Sequence, residues 1–228
     1  MPTNDPQAPV LTIDGPTASG KGAVAESVAS RLGWHYLDSG ALYRLVALQA
    51  ARCHVMLNDE QGLAELAREL PVSFEKGQVF LHEEDVSQAI REPSVANAAS
   101  RIAVFAPIRE GLLARQHAFK QAPGLVADGR DMATVVFPDA PLKVFLNASV
   151  GVRAERRYKQ LIEKGFSTKL TDLQKDIERR DQRDMNRKIA PLRACKDSHI
   201  IDSSLMDLES VIASVVKLAI DAGLVDAV

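Results

Sequence analysis

Cysteine, histidine and long apolar runs are scarce in this chain, and each shortage removes a class of function. The two cysteines among 228 residues, Cys53 and Cys195, lie far apart and form no C-x-x-C pair. The five histidines show no metal-ligand spacing. A disulfide framework, a zinc site and a thioredoxin-like redox motif are therefore not expected, and free thiols in a reducing compartment are. No apolar run is long enough to span a bilayer. Met1 to Pro9 is polar and proline-bearing, without the apolar stretch of a signal peptide. Charge of one sign is missing too, since 28 Lys and Arg balance 30 Asp and Glu for a net charge of −2. No global field then attracts nucleic acid or a membrane surface, and any anion site must be a local cluster. These absences predict a cytoplasmic protein that binds neither. The length suits one well-buried domain with inserted lobes.

What is present is concentrated first near the N-terminus. The apolar run Val10 to Ile13 and Asp14 lead into Gly15-Pro16-Thr17-Ala18-Ser19-Gly20-Lys21-Gly22, followed by a helix-forming run from Ala23 to Leu32. The G-x-x-x-x-G-K core is that of a phosphate-binding P-loop. A buried strand delivers the loop, the loop turns its N–H groups inward, and the helix start adds a positive dipole end. Lys21 is placed to reach the terminal phosphates of a bound nucleotide. Gly22 stands where a Ser or Thr hydroxyl usually meets Mg²⁺. The letters Gly20-Lys21-Gly22-Ala23-Val24-Ala25, with Asp38 eighteen residues beyond Gly20, also fit a dinucleotide fingerprint. That reading is weak, because its first glycine should directly follow the strand, and Pro16 to Ser19 intervene.

The rest of the chain alternates strands and helices. Short strands are predicted at Trp34–Leu37, Gly124–Asp128, Leu142–Leu146 and around Ile200 and Ile201. Helices are predicted over about 41–52, 59–70, 107–121, 150–164, 172–187 and 206–222. Val72-Ser73-Phe74 and Val79-Phe80-Leu81 read as a small hairpin around Glu75-Lys76-Gly77-Gln78, interrupting the alternation as an inserted lobe would. The pattern predicts an α/β fold with a parallel sheet covered on both faces. Ligands should gather at the carboxyl ends of its strands, where Asp14, Asp38 and Asp128 sit.

Three clusters decide what the loop faces: Asp38-Ser39-Gly40-Ala41-Leu42-Tyr43-Arg44, Asp128-Gly129-Arg130-Asp131, and Arg180-Asp181-Gln182-Arg183-Asp184-Met185-Asn186-Arg187. In the last, positions 180, 183, 184 and 187 share one helix face. Such a face is either a solvated strip of local ion pairs, worth little, or a phosphate clamp, for which arginine's permanently charged, forked guanidinium is suited.

Together these residues resemble the bacterial cytidylate (CMP) kinases, nucleoside monophosphate kinases with a P-loop core. The resemblance rests on Ile13-Asp14-Gly15-Pro16, Leu37 to Arg44, Val95-Ala96-Asn97-Ala98-Ala99-Ser100, Asp128 to Met132 and the late arginine helix, and runs from about residue 9 to 220. It implies a P-loop kinase-type parallel sheet flanked by helices, with an inserted small antiparallel β lobe and a helical lid. The whole of 1–228 would be one kinase domain: core at about 9–63 and 105–225, monophosphate-binding lobe at about 64–104, lid at about 153–190. The implied reaction moves the γ-phosphoryl group of ATP to CMP or dCMP, with Mg²⁺ accompanying the donor. By the same resemblance Gly15, Pro16, Thr17, Ala18, Ser19, Gly20, Lys21, Gly22 and Ala23 hold ATP. Ser39, Arg44, Ser100, Arg109, Arg130, Asp131, Asp184 and Arg187 hold CMP. Lys21, Arg130, Arg180 and Arg187 carry catalysis, and the chain acts as a monomer.

The chain departs from the family in its loop, where Gly22 and Ala23 stand in place of the frequent Gly and Thr, removing a hydroxyl near the β-phosphate. The metal ligands are left open: Asp14 and Asp128 serve equally as metal contacts or as strand-end hydrogen-bond acceptors. Two further classes compete with the reading, a different small-molecule kinase (for adenylate, uridylate or shikimate) and a P-loop switch or ATPase. The chain has no Asn-Lys-x-Asp guanine motif, which counts against a GTPase. A nicotinamide-binding reductase is the third possibility.

Overall fold

The computed structural model describes residues 7–75, 77–163, 165 and 167–226. Most of the N-terminal tail read above, Lys76 of the hairpin turn and Lys164 at the predicted helix end lie outside these. In chain order the elements are β1 (Val10–Asp14), α1 (Lys21–Leu32), β2 (His35–Asp38), α2 (Ser39–Arg52), α3 (Glu60–Arg68), β3 (Val72–Glu75), β4 (Gln78–Leu81) and β5 (Glu84–Asp85). A 3₁₀ turn at Ala89–Arg91 leads to α4 (Pro93–Ile102), α5 (Ala106–His117) and β6 (Leu125–Gly129). A π-helical turn at Met132–Val136 precedes β7 (Leu142–Asn147), α6 (Val150–Glu163), α7 (Leu170–Met185), β8 (His199–Asp202) and α8 (Leu208–Asp221). The chain divides into two compact units, Met1–Leu37 with His117–Val228, and Asp38–Gln116.

The first unit is built on a sheet of strand order β2-β6-β1-β7-β8. β1 pairs parallel with β6 on one side and β7 on the other, and β7 pairs parallel with β8. All five residues of β1 are buried, as are all five of β6. That is why these strands read as continuous apolar runs rather than alternations. Leu11, Ile13, Val126, Val144 and Leu146 pack with Val24, Val28, Val211, Ile212 and Val215 from α1 and α8 in one core cluster. Each such side chain contributes about 1.5–3 kcal/mol on burial. The parallel register brings the ends of β1 and β6 level, with Asp14 opposite Gly129.

The second unit carries α2, α3, α4 and a small antiparallel sheet of order β3-β4-β5. The predicted hairpin is there, joined by the two-residue β5 that polarity had hidden. Helix α4 has no counterpart among the predicted elements: its apolar face is made largely of Ala96, Ala99 and Ile102, too small-sided to stand out as a stripe. Proline at its first position fits a helix start. Asp38 caps α2 by accepting the Ala41 N–H at 2.9 Å, so that helix begins at Ser39 rather than Ala41. The helix predicted over 107–121 ends at His117. The helix predicted over 172–187 ends at Met185, because Asn186 caps it and Leu192 N–H turns back to the Asp184 carbonyl at 2.9 Å.

Candidate active site

The glycine loop runs from the end of β1 to the start of α1, at the carboxyl end of the sheet. A side chain at Gly15 would put its Cβ 2.1 Å from the Leu146 carbonyl oxygen, so only glycine lets the loop leave β1 against β7. Ala18 holds a left-handed backbone, φ 61°. Lys21 is buried with its Nζ 3.5 Å from the Pro16 carbonyl, folded over the loop it belongs to.

Thr17 ties the loop to three charged side chains. Its N–H donates to Asp181 Oδ1 at 3.3 Å. Its carbonyl accepts from Arg153 Nη1 at 2.8 Å. Its hydroxyl oxygen accepts from Arg130 Nη2 at 3.0 Å. Arg153 and Asp181 are themselves an ion pair at 2.6 Å, both buried.

A second buried carboxylate sits one helical turn on. Asp184 accepts from Arg130 Nε at 2.9 Å and pairs with Arg187. Arg187 lies past the end of α7 yet still reaches it, so the shared face survives the early helix stop. Burial pushes the Asp184 carboxyl up, but the charges of Arg130, Arg187 and Arg180 outweigh it and hold the group below its usual range. The solvated-strip reading of this cluster is therefore corrected: Asp184 is 3% exposed, and three guanidinium charges converge on one buried acid.

The two strand-end acids differ. Asp14 accepts the N–H groups of Met132 at 2.9 Å and Ala133 at 2.8 Å, one on each oxygen. It is the strand-end acceptor, and burial pushes its carboxyl up to about 7 against the lowering effect of those two N–H groups. Asp131 begins the same π-helical turn and adds a smaller upward push through its own charge. Asp128 instead accepts from the Tyr36 hydroxyl at 3.1 Å. A Cβ on Gly22 would lie 3.1 Å from Asp128 Oδ2, tighter than ordinary contact. The missing hydroxyl at position 22 is thus matched by a buried carboxylate oxygen beside the same α-carbon.

In the second unit Ser39 and Arg44 lie on α2, Ser100 on α4 and Arg109 on α5. Ser39, Ser100 and Arg109 are buried. The Arg109 guanidinium lies 5.8 Å from the centroid of the Tyr43 ring and donates to the Ala103 carbonyl at 3.2 Å. Arg109 is thus a buried cation on α5.

Three residues of this region escaped sequence reasoning. Arg153 and Arg156 belong to none of the sequence clusters above, and Asp181 stands in the late arginine run without a role of its own. Arg156 donates to the Ser19 carbonyl at 3.2 Å and the Ser203 carbonyl at 2.6 Å, joining the loop to the segment after β8. Only the three-residue spacing of Arg153 and Arg156 placed them on one face, and nothing local showed that it is turned inward.

The profile of the cytidylate kinase family matches residues 11–221. The chain is similar to proteins named cytidylate kinase in three bacteria. It is 58% identical to that of Ralstonia pickettii over 91% of this chain and 90% of the relative. It is 54% identical to that of Paraburkholderia phymatum over 92% of each. With that of Aeromonas salmonicida it shares 52% identity over 93% of this chain and 94% of the relative.

Proposed function

This chain belongs to the cytidylate kinase family, and on that premise we propose that it transfers the γ-phosphoryl group of ATP to CMP or dCMP, giving ADP and the pyrimidine diphosphate. The observation that carries the reading is the P-loop, with buried Lys21, tied through Thr17 to Arg130 and so to a group of arginines gathered on Asp184. One part suits a triphosphate. The other suits the phosphoryl group being moved.

The loop from Gly15 to Ala23 holds ATP, its N–H groups and Lys21 meeting the phosphates. Ser39, Arg44, Ser100, Arg109, Arg130, Asp131, Asp184 and Arg187 hold CMP. Phosphoryl transfer passes through a loose transition state, so positioning and charge neutralisation carry most of the catalysis. Arg130, Arg180 and Arg187 supply positive charge there, beside Lys21. No general base is needed, because the acceptor phosphate is already anionic. The chain excludes water by closing its lid over the reactants, since water is the competing acceptor.

Among the described residues no group of three or more acidic, histidine or cysteine side chains is gathered to cage a metal ion. That fits Mg²⁺, which keeps several waters and binds through phosphates and one or two carboxylates. Asp128 fits the ion best, as a buried oxygen donor beside the start of α1. Asp14 fits it poorly, with each oxygen already accepting a backbone N–H. When bound, Mg²⁺ would neutralise phosphate charge. We place the chain in the cytoplasm as a monomer. Its two free cysteines suit a reducing compartment, and no helix among the described residues is long and apolar enough to cross a membrane.

The test is a panel of CMP, dCMP, UMP and AMP with ATP, scored for the diphosphate formed. CMP and dCMP are the expected acceptors. Phosphorylation of AMP alone, or ATP hydrolysis without any acceptor product, would overturn the reading.

A further inference from the structure

Thr17 is bound differently at its backbone and at its side chain. The N–H and C=O go to Asp181 and Arg153, a mutually paired and buried couple. These two contacts frame the loop backbone on a buried ion pair. The hydroxyl oxygen goes to Arg130, whose Nε is held by Asp184 and whose side chain is one-fifth exposed. One guanidinium thus spans the donor loop and the acid on which the phosphate-binding arginines gather. Its third nitrogen, Nη1, donates to the Gly129 carbonyl at 3.2 Å, so a bound phosphate must share or displace one of three existing contacts.

We propose that Thr17 is a positioning residue through which ATP and CMP sense each other. The inference rests on the reading of Arg130 as a CMP-binding group. A phosphate on Arg130 redirects the guanidinium, and the Arg130–Thr17 hydrogen bond carries that change to the loop cradling ATP. A loop already ordered by ATP holds Arg130 where CMP needs it. By linkage each nucleotide strengthens the other by the same factor. The frame of Asp181 and Arg153 makes this effective, because a loop pinned at the Thr17 backbone responds to its hydroxyl contact rather than drifting.

The test titrates a non-hydrolysable ATP analogue calorimetrically, without CMP and with saturating CMP, on wild type, T17S, T17V and T17A. Far-UV circular dichroism checks each fold. The ratio of the two dissociation constants is the coupling factor. For wild type a factor of about fivefold or more is expected, the low end of allosteric couplings. T17S, which keeps the hydroxyl, retains it; T17V and T17A fall to less than about twofold. A merely structural role would weaken binding with and without CMP alike and leave the ratio unchanged. Retention of the wild-type factor by either variant that folds would overturn the proposal. So would a wild type that makes CDP yet shows no coupling, an outcome that leaves the kinase reading intact. A wild type that neither binds nor phosphorylates CMP would instead overturn both.

Discussion

The foot of the glycine loop and the last turn of α7 each hold a buried aspartate, and the two are satisfied in opposite ways. Asp14 is met by two neutral backbone N–H groups, and burial lifts its carboxyl to about 7. Asp184 is met by guanidinium groups and stays below the usual carboxylate range. Burial is the same; the partners decide. A carboxylate met by backbone dipoles organises a turn, here Met132–Val136 beside the loop. One met by arginines gathers positive charge in one place, where a phosphate can compete for it. On the proposed function, the first region builds the site and the second works in it.

The largest expected effect lies at the loop both regions serve. Replacing Lys21 by Ala lowers turnover by on the order of 10³ or more, given what single oxyanion-stabilising donors and inserted cations contribute. Circular dichroism should show the fold retained, and wild-type turnover in that variant would end the P-loop assignment. Asp131 lies between the two regions, next to Asp14 electrostatically and next to Arg130 in sequence. Asp131→Ala should weaken CMP roughly tenfold, the loss of about one buried charged hydrogen bond, while ATP loses less in a separate titration. Equal losses would move Asp131 to the structural side of the comparison.

A pH series sharpens it further. Because the folded carboxyl of Asp14 sits above its unfolded value of 3.8, its proton stabilises the native state. That contribution is complete below about pH 4 and fades as pH rises towards about 7. Urea unfolding should therefore show wild type losing stability relative to Asp14→Asn over that window. A difference that stays constant or grows with pH would show the group to be ionised throughout. The smallest effect is expected at Ala18. Glycine there relieves about 1 kcal/mol of left-handed strain and gives back about as much in unfolded-chain entropy. The melting temperature should move by no more than a few degrees, and a large loss would mean the alanine methyl group packs in the loop.

Much of this was legible in the sequence, for a physical reason. Val10 to Asp14, the glycines and Lys21 form one contiguous strand–loop–helix unit, and local order writes local structure. Asp128-Gly129-Arg130-Asp131 was visible in the same way, as an apolar run ending in charge. What stayed hidden is long-range. The order β2-β6-β1 places a late strand between two early ones, which no periodicity records. The pairing of Asp181 with Arg153 and of both with the loop has no local signal, because the partners are far apart along the chain, at Thr17 and at each other. Arg187 was placed on the right face but in the wrong element, since the stop at Asn186 depends on Leu192 turning back. The choice between metal contact and hydrogen-bond acceptor for Asp14 needed Met132 and Ala133, over a hundred residues away.

The claim that the Asp184 region works rather than builds is tested most directly at Arg187. Steady-state kinetics of Arg187→Ala, beside calorimetric CMP binding, should show kcat falling by about 10³ or more while the dissociation constant of CMP rises only several-fold. A loss that appears wholly in CMP affinity, with kcat unchanged at saturation, would contradict the account and leave Arg187 a binding group alone.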